Sequence, residues 1–192
     1  MKILFATHNT HKISEVKGLL GDDFEIISPA AIGFLDDVEE TGSNLIENAL
    51  LKVNAYPETV ADIIFAEDTG LEVEALNGAP GVYTARYAGL PPDSNKNMAK
   101  LLFEIKDKPN RNAQFRTVIC LKYHGKTHYF EGICKGTIAL EKEGNQGFGY
   151  DPIFIPDGYN LSFGSLGNDI KKKLSHRAMA IQQMLKFFKS LA

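Results

Sequence analysis

Residues Phe5-Ala6-Thr7-His8-Asn9-Thr10-His11-Lys12 join an apolar, strand-like run to a pattern in which Ile13, Val16, Leu19 and Leu20 recur at helical spacing. Thr7, Asn9 and Lys12 therefore fall where a helix opens. A lysine in a first helical turn faces the positive end of the helix dipole, at a cost of roughly a few tenths of a kcal/mol. An anion at that place reverses the sign, and a strand-to-helix junction rich in donors is a common way to hold phosphate. The plainer reading is that Asn9 or Thr10 caps the helix and Lys12 lies in solvent. Neither a Gly-x4-Gly-Lys-Ser/Thr loop nor a Gly-x-Gly-x-x-Gly helix opening occurs in the chain. A phosphate held here is held without either familiar glycine loop.

Two acidic pairs come next. Glu39 and Glu40 precede Thr41-Gly42 and a second helical pattern, and Glu67 and Asp68 stop the apolar run Asp62-Ile63-Ile64-Phe65-Ala66. Carboxylates ahead of a helix have an ordinary electrostatic explanation. A pair at the end of an apolar strand does not, because charge beside a core is costly unless paired or metal-bound. Together the pairs would make a hard, oxygen-lined site suited to Mg²⁺, which takes one or two carboxylates and the substrate's phosphates. Farther on, Gly147-Phe148-Gly149-Tyr150-Asp151-Pro152 is a flexed loop whose aromatics could stack a planar base, or equally sit in the core of a turn. Lys171-Lys172-Lys173-Leu174-Ser175-His176-Arg177 reads first as a solvated charge run. Its interruption before the last helix leaves His176 and Arg177 as possible donors to a carbonyl or phosphate. His124 and His128 flank a turn at Gly125-Lys126, without cysteine partners nearby, and read as surface histidines rather than zinc ligands. There is no Gly-x-Ser-x-Gly elbow and no Cys/His nucleophile set.

Alternating strands and helices must position these groups. Periodicity predicts strands at 2–6 and 24–28, and a helix at 44–55 capped by Ser43. It predicts a short buried strand at 62–66 and a separate, half-exposed strand through Leu71, Val73 and Ala75. A helix at 93–105 follows, then strands at 113–123 and 127–140 joined by the Gly125-Lys126 turn. The closing helix, 178–191, presents Ile181, Met184, Leu185, Phe188 and Leu191 on one face. The long hairpin rules out a purely parallel sheet, so the fold class is α/β with a mixed sheet. The 192 residues are enough for a sizeable core, and a net charge of −3 disfavours a nucleic-acid or membrane-surface binder. No run predicts a membrane span or a signal peptide. Cys120 and Cys134, lacking Cys-x-x-Cys spacing, read as reduced thiols of a cytoplasmic protein.

Six motifs, in order, resemble the inosine triphosphate pyrophosphatase family, whose members act on ITP, dITP and XTP. They are Thr7-x-Asn9-x-x-Lys12, Glu39-Glu40-Thr41-Gly42, Glu67-Asp68-Thr69-Gly70-Leu71, the run Gly78 to Tyr87, Phe148-Gly149-Tyr150-Asp151-Pro152, and Ser175-His176-Arg177. The resemblance implies one nucleoside triphosphate pyrophosphatase domain over 1–192. It also implies an elongated mixed sheet with flanking helices, two lobes around a nucleotide cleft, and a homodimer. It implies that Thr7, His8, Asn9, Thr10, His11 and Lys12 hold the triphosphate and that Glu40 and Asp68 bind Mg²⁺. Asp68 would also be the proton acceptor that activates water. Thr69, Phe148, Gly149, Tyr150, Asp151, Lys171, His176 and Arg177 would contact the nucleotide, and Lys52 a phosphate. Arg177 or His176, aimed at position 6 of the purine, would accept a 6-oxo group and oppose adenine's 6-amino group. The chain departs from the family pattern in three places. Glu67 and Thr69 stand where Asp and Ser are frequent, His8 where Gly is common, and Asp169-Ile170 where a Glu-Glu pair precedes Lys171. A dTTP or UTP pyrophosphatase and a non-catalytic nucleotide sensor are the rival readings. The Phe148–Asp151 and Ser175–Arg177 motifs oppose the first, and intact Glu40 and Asp68 oppose the second.

Overall fold

The computed structural model describes residues 2–21 and 24–190. Among them, strands β1 (Lys2–Phe5), β2 (Glu25–Ile27), β3 (Ile63–Val73), β4 (Pro80–Gly81), β5 (Asn112–Tyr123), β6 (Lys126–Ile138) and β7 (Phe154–Pro156) form one sheet. Its order is β2-β1-β3-β5-β6-β7, with β4 beside β3. β1 runs parallel to β2 and β3, whereas β4 is antiparallel to β3 and β7 to β6. The helices are α1 (Thr10–Leu20), α2 (Leu45–Asn54), α3 (Ser94–Glu104), α4 (Phe163–Leu166), α5 (Asn168–Leu174) and α6 (His176–Ser190). The mixed α/β class expected from periodicity is the one that forms. No helix among the described residues is long and apolar enough to cross a membrane.

The chain divides into two compact units, the first comprising Met1–Asp68, Thr117–Gly132 and Arg177–Ala192, the second Thr69–Arg116 and Ile133–His176. In the first unit, strand alternation builds two cores. Ile3, Phe5, Ile63, Phe65, Ile119 and Leu121 pack with Val16 and Leu20 of α1 and with Ala180, Ile181 and Met184 of α6. Leu4, Ala6, Ile64, Ala66 and Cys120 pack with Ala49 and Val53 of α2. One sheet layer is thus covered on both faces, with α1 and α6 on one and α2 on the other. In the second unit, Met98, Leu101 and Ile105 join Leu71, Val73, Phe115, Ile153, Phe154 and Phe163 in a single core.

Four local expectations are corrected. Residues 62–66 and 71–75 are not two strands: β3 runs unbroken through Glu67-Asp68-Thr69-Gly70, and its end keeps the expected half-exposed alternation, with Leu71 and Val73 buried, Glu72 partly buried and Glu74 exposed. Ala75 lies in a short 3-10 turn. Asn44, not Ser43, caps α2, its side chain accepting from the Glu47 N–H while Glu47 reaches back to Ser43. The β5–β6 turn is His124-Gly125, both at positive φ, the two-residue geometry whose twist matches the flanking strands. Finally, α4 and α5 arise within a stretch whose pattern gave no helix. Leu191 lies outside the described residues.

The β6–β7 pairing depends on Gly136, where a Cβ would come 2.2 Å from the Ile155 carbonyl oxygen. Gly136→Ala must push two paired backbones apart, at a cost of about 1–3 kcal/mol or more. Urea unfolding should show that loss, and an unchanged midpoint would mean that the two strands tolerate separation.

Candidate active site

The central constraint is the alternation of β3. Ile63 and Phe65 face α1 and α6, and Ile64 and Ala66 face α2. Continuing that period of two sends Glu67 toward α1 and α6, and Asp68 toward α2. The adjacent carboxylates therefore enter two different environments.

Glu67, buried to 1% exposure, receives a fork from Arg177: Nε donates to Oε1 and Oε2 at 3.0 and 2.9 Å, and the second guanidinium nitrogen to Oε1 at 2.7 Å. The remaining guanidinium nitrogen meets Glu15 of α1 at 2.5 Å. Lys12, from the first turn of α1, places Nζ 3.2 Å from Glu67 Oε1. Burial alone would raise the Glu67 pKa, but Arg177 and Lys12 outweigh it and hold the carboxyl down at about 2. Burial lowers the pKa of Lys12, against the opposing pull of Glu67. The helix-opening lysine is thus neither wasted nor solvated, because Glu67 supplies an anion. Asn9 is the cap of α1, its Oδ1 accepting from Lys12 N, and Thr7 Oγ1 accepts from Asn9 N. Thr10 and His11 are exposed in the first turn, and the partly buried His8 has a buried Nε2 without a hydrogen-bond partner among the described residues.

On the other face, Lys52 of α2 extends its ammonium to Asp68 Oδ1 at 2.9 Å and Glu40 Oε1 at 2.5 Å, and donates to the Glu67 carbonyl. Burial would lower the Lys52 pKa, but Asp68 and Glu40 together raise it. Asn48, one turn earlier on α2 and fully buried, donates to Asp68 Oδ2 at 3.1 Å and accepts from Gly42 N at 2.8 Å. It thereby fixes the loop that carries Glu40. A Cβ on Gly42 would lie 2.6 Å from Asn48 Oδ1, so that approach needs glycine. The two acidic pairs do not act as pairs: Glu40 and Asp68 converge on one cation, Glu39 is exposed, and Glu67 turns to the opposite face. Sequence reasoning missed Asn48 and Glu15. Asn48 had a signal, a polar residue four before Lys52 on the apolar face Leu45-Ala49-Val53. Glu15 had only its place one turn after Lys12.

In the second unit, Asp151 is buried and accepts from Lys171 Nζ at 2.6 Å and from Phe148 N at 2.7 Å. Lys171 lies over the Phe148 ring, 4.5 Å from its centroid. Gly147, at φ 76°, leaves no room for a Cβ beside the Asp151 carboxylate. Tyr150 does not pair with Phe148 as a second stacking ring: it is buried in the core, with its hydroxyl donating to the Thr84 carbonyl. Gly149 is the positive-φ residue that turns the two aromatics apart. Thr69 is partly buried on β3, and His176 stacks on Phe115 at 4.6 Å. The basic run splits: Lys171 is buried in the Asp151 pair, while Lys172 and Lys173 are exposed. Arg177, in the first unit, directs its fork at Glu67, meets Glu15 and is 1% exposed.

A family model described as the Ham1 family matches residues 3–187. A protein of Flavobacterium psychrophilum named dITP/XTP pyrophosphatase is 48% identical over 190 residues, covering 99% of this chain and 100% of its own. The solved structure of the Staphylococcus aureus Ham1 protein superposes with a TM-score of 0.90 at 38% identity, covering 100% of both chains. A HAM1 protein structure from Coxiella burnetii gives 0.89 at 32% identity, over 99% of each chain.

Because the Glu67 carboxyl sits near 2 instead of its ordinary 4.5, it contributes stability above about pH 4.5 that is lost as the pH falls toward 2, on the order of 3 kcal/mol. Glu67→Gln should abolish that segment of the acid profile and cost about 3–5 kcal/mol at pH 7 by stranding Arg177 and Lys12. Urea unfolding of both proteins from pH 7 to pH 3 measures it. An acid slope equal to that of the wild type would place the charge elsewhere.

Proposed function

The chain belongs to the Ham1 family, and from that premise we propose that it hydrolyses the non-standard purine nucleoside triphosphates ITP, dITP and XTP. The products are the nucleoside monophosphate and pyrophosphate, and the role is to keep these nucleotides out of DNA and RNA. The observation that carries the reading is the convergence of Glu40 and Asp68 on a single buried cation, with Asn48 fixing both. Two hard carboxylate oxygens already gathered around an ammonium form the donor set that suits Mg²⁺. Glu40 and Asp68 would hold that ion, which when bound neutralises charge on the phosphate oxygens as pyrophosphate departs.

In this reading Thr7, His8, Asn9, Thr10, His11 and Lys12 bind and orient the triphosphate, with Lys12 as the point charge. Lys52 adds a second cation on the Asp68 face. Asp68 accepts the proton of the water that attacks the α-phosphorus. Its Oδ2 is held by Asn48, which keeps the carboxylate aimed while the proton moves. Phe148 offers a ring for stacking, Gly149 and Tyr150 shape its loop, and Asp151 with Lys171 and Thr69 provides polar contacts to the nucleoside. His176 is the donor candidate for the purine 6-oxo group. Adenine would set its 6-amino donor against that donor, an unmatched burial of about 1–3 kcal/mol, or roughly ten- to 150-fold in discrimination. The proposal covers 1–192 as one catalytic domain of a cytoplasmic homodimer. The two free, buried cysteines support a reducing compartment.

Two measurements test it. Pyrophosphate release should stop in EDTA and return with Mg²⁺, and kcat/KM for ITP, dITP and XTP should exceed that for ATP by about tenfold or more. Full turnover in EDTA, or ATP as the preferred substrate, would remove the reading. Asp68→Asn, nearly isosteric, should keep the fold and cut kcat by at least about 10²-fold, the lower range for a lost general base. Near-normal turnover in that variant would assign the proton acceptor elsewhere.

A further inference from the structure

Two cations share the buried carboxylate of Glu67, and they hold it differently. Arg177 makes a three-bond fork from a side chain 1% exposed, whereas Lys12 makes one 3.2 Å contact from a side chain 16% exposed. Were Lys12 the only counter-ion, drawing its ammonium toward a phosphate would leave a bare carboxylate at 0% exposure, an expensive state. Arg177 removes that cost, because its fork stays on Glu67 whether or not Lys12 does. Glu15, 2.5 Å from Arg177, lets the guanidinium remain in the interior on its own account. Burial already disfavours the charged form of Lys12 where it rests, which adds to the ease of its transfer.

We propose that Arg177 is a positioning residue that makes Lys12 a releasable cation, by neutralising Glu67 so that the Lys12 ammonium can pass to the substrate's phosphates. The inference rests on the reading of Thr7–Lys12 as the triphosphate site. It assigns Arg177 to phosphate binding through Lys12, where the family motif suggested the base. Glu67 becomes the shared anchor of α1 and α6, and neither a metal ligand nor a base.

Inorganic tripolyphosphate, which has no base, is the deciding probe, used as a competitive inhibitor of ITP hydrolysis with Mg²⁺ in excess. Arg177→Met should raise its Ki and the KM for ITP by the same factor, about tenfold or more, with kcat altered by less than about threefold. Arg177→Met/Glu67→Gln, which removes the anion together with its fork, should bring Ki back to within about threefold of the wild type. Loss and recovery confined to Ki and KM, with kcat and the urea midpoint of the single variant held, are foreign to a merely structural role. Arg177→Lys, which keeps the charge and loses the fork, should give a smaller rise of about threefold, and it replaces the Met variant if that one does not fold.

A wild-type Ki in the Arg177 variant alongside a raised KM for ITP would show that Arg177 reads the base and would overturn the proposal. A double variant as impaired as the single one would overturn it too. Lys12→Met separates the underlying reading: a wild-type Ki there, or a wild type insensitive to tripolyphosphate, removes the phosphate site itself and this inference with it.

Discussion

The cost of placing two adjacent carboxylates in the middle of a buried strand governs this molecule. Glu67 and Asp68 are 1% and 5% exposed on β3, where an uncompensated charge is not tolerated. Each must find cations, and the pleat sends them to find different ones. Much else in the first unit answers that demand. Helix α1 begins where Lys12 can reach Glu67, α6 begins where Arg177 can fork onto it, and α2 is capped so that Asn48 and Lys52 arrive at Asp68.

The pleat also divides the labour. On the α2 face the carboxylates of Glu40 and Asp68 share the Lys52 ammonium, and the Asn48 amide donates to Asp68 while accepting from Gly42 of the loop that carries Glu40. On the α1 and α6 face the carboxylate is bound by a fork geometrically matched to it and is already neutralised. A residue pair that looks like one feature in the sequence is therefore two devices. The same economy appears in the second unit, where Lys171 and the Phe148 N–H meet the buried Asp151 carboxylate. Lys171 in turn lies over the Phe148 ring, so one carboxylate orders both a cation and an aromatic face.

Local chemistry was legible where it depended on short-range rules. The strand-to-helix opening with a cap at Asn9 or Thr10, the amphipathic faces of α2, α3 and α6, and the long hairpin follow from periodicity and turn chemistry, and the structure chooses Asn9 as the cap. The misreadings share a cause. Glu67-Asp68-Thr69-Gly70 looks like a strand end because charge and glycine usually stop strands, yet β3 continues, since distant cations neutralise the charges. Gly70 lies so near β4 that a Cβ would come 2.9 Å from the Gly81 carbonyl oxygen. Tyr150 looked like a partner for Phe148, and one positive-φ glycine separates them.

By itself the sequence determined the fold class, the inventory of chemical groups and the order of the motifs, because residue type and spacing act over a few neighbours. Alternation along a strand is intrinsic to the chain, but that Glu67 and Asp68 lie within the strand, and so point apart, is a tertiary outcome, because the local pattern ends the strand at Ala66. Only the tertiary structure decided which cation each received. Arg177 lies 110 residues from Glu67 in the chain, and no local rule ranks Glu67, Glu15 or a ligand as its partner. That choice is made by which helices cover which face of the sheet, and by the electrostatic penalty for leaving any buried charge alone.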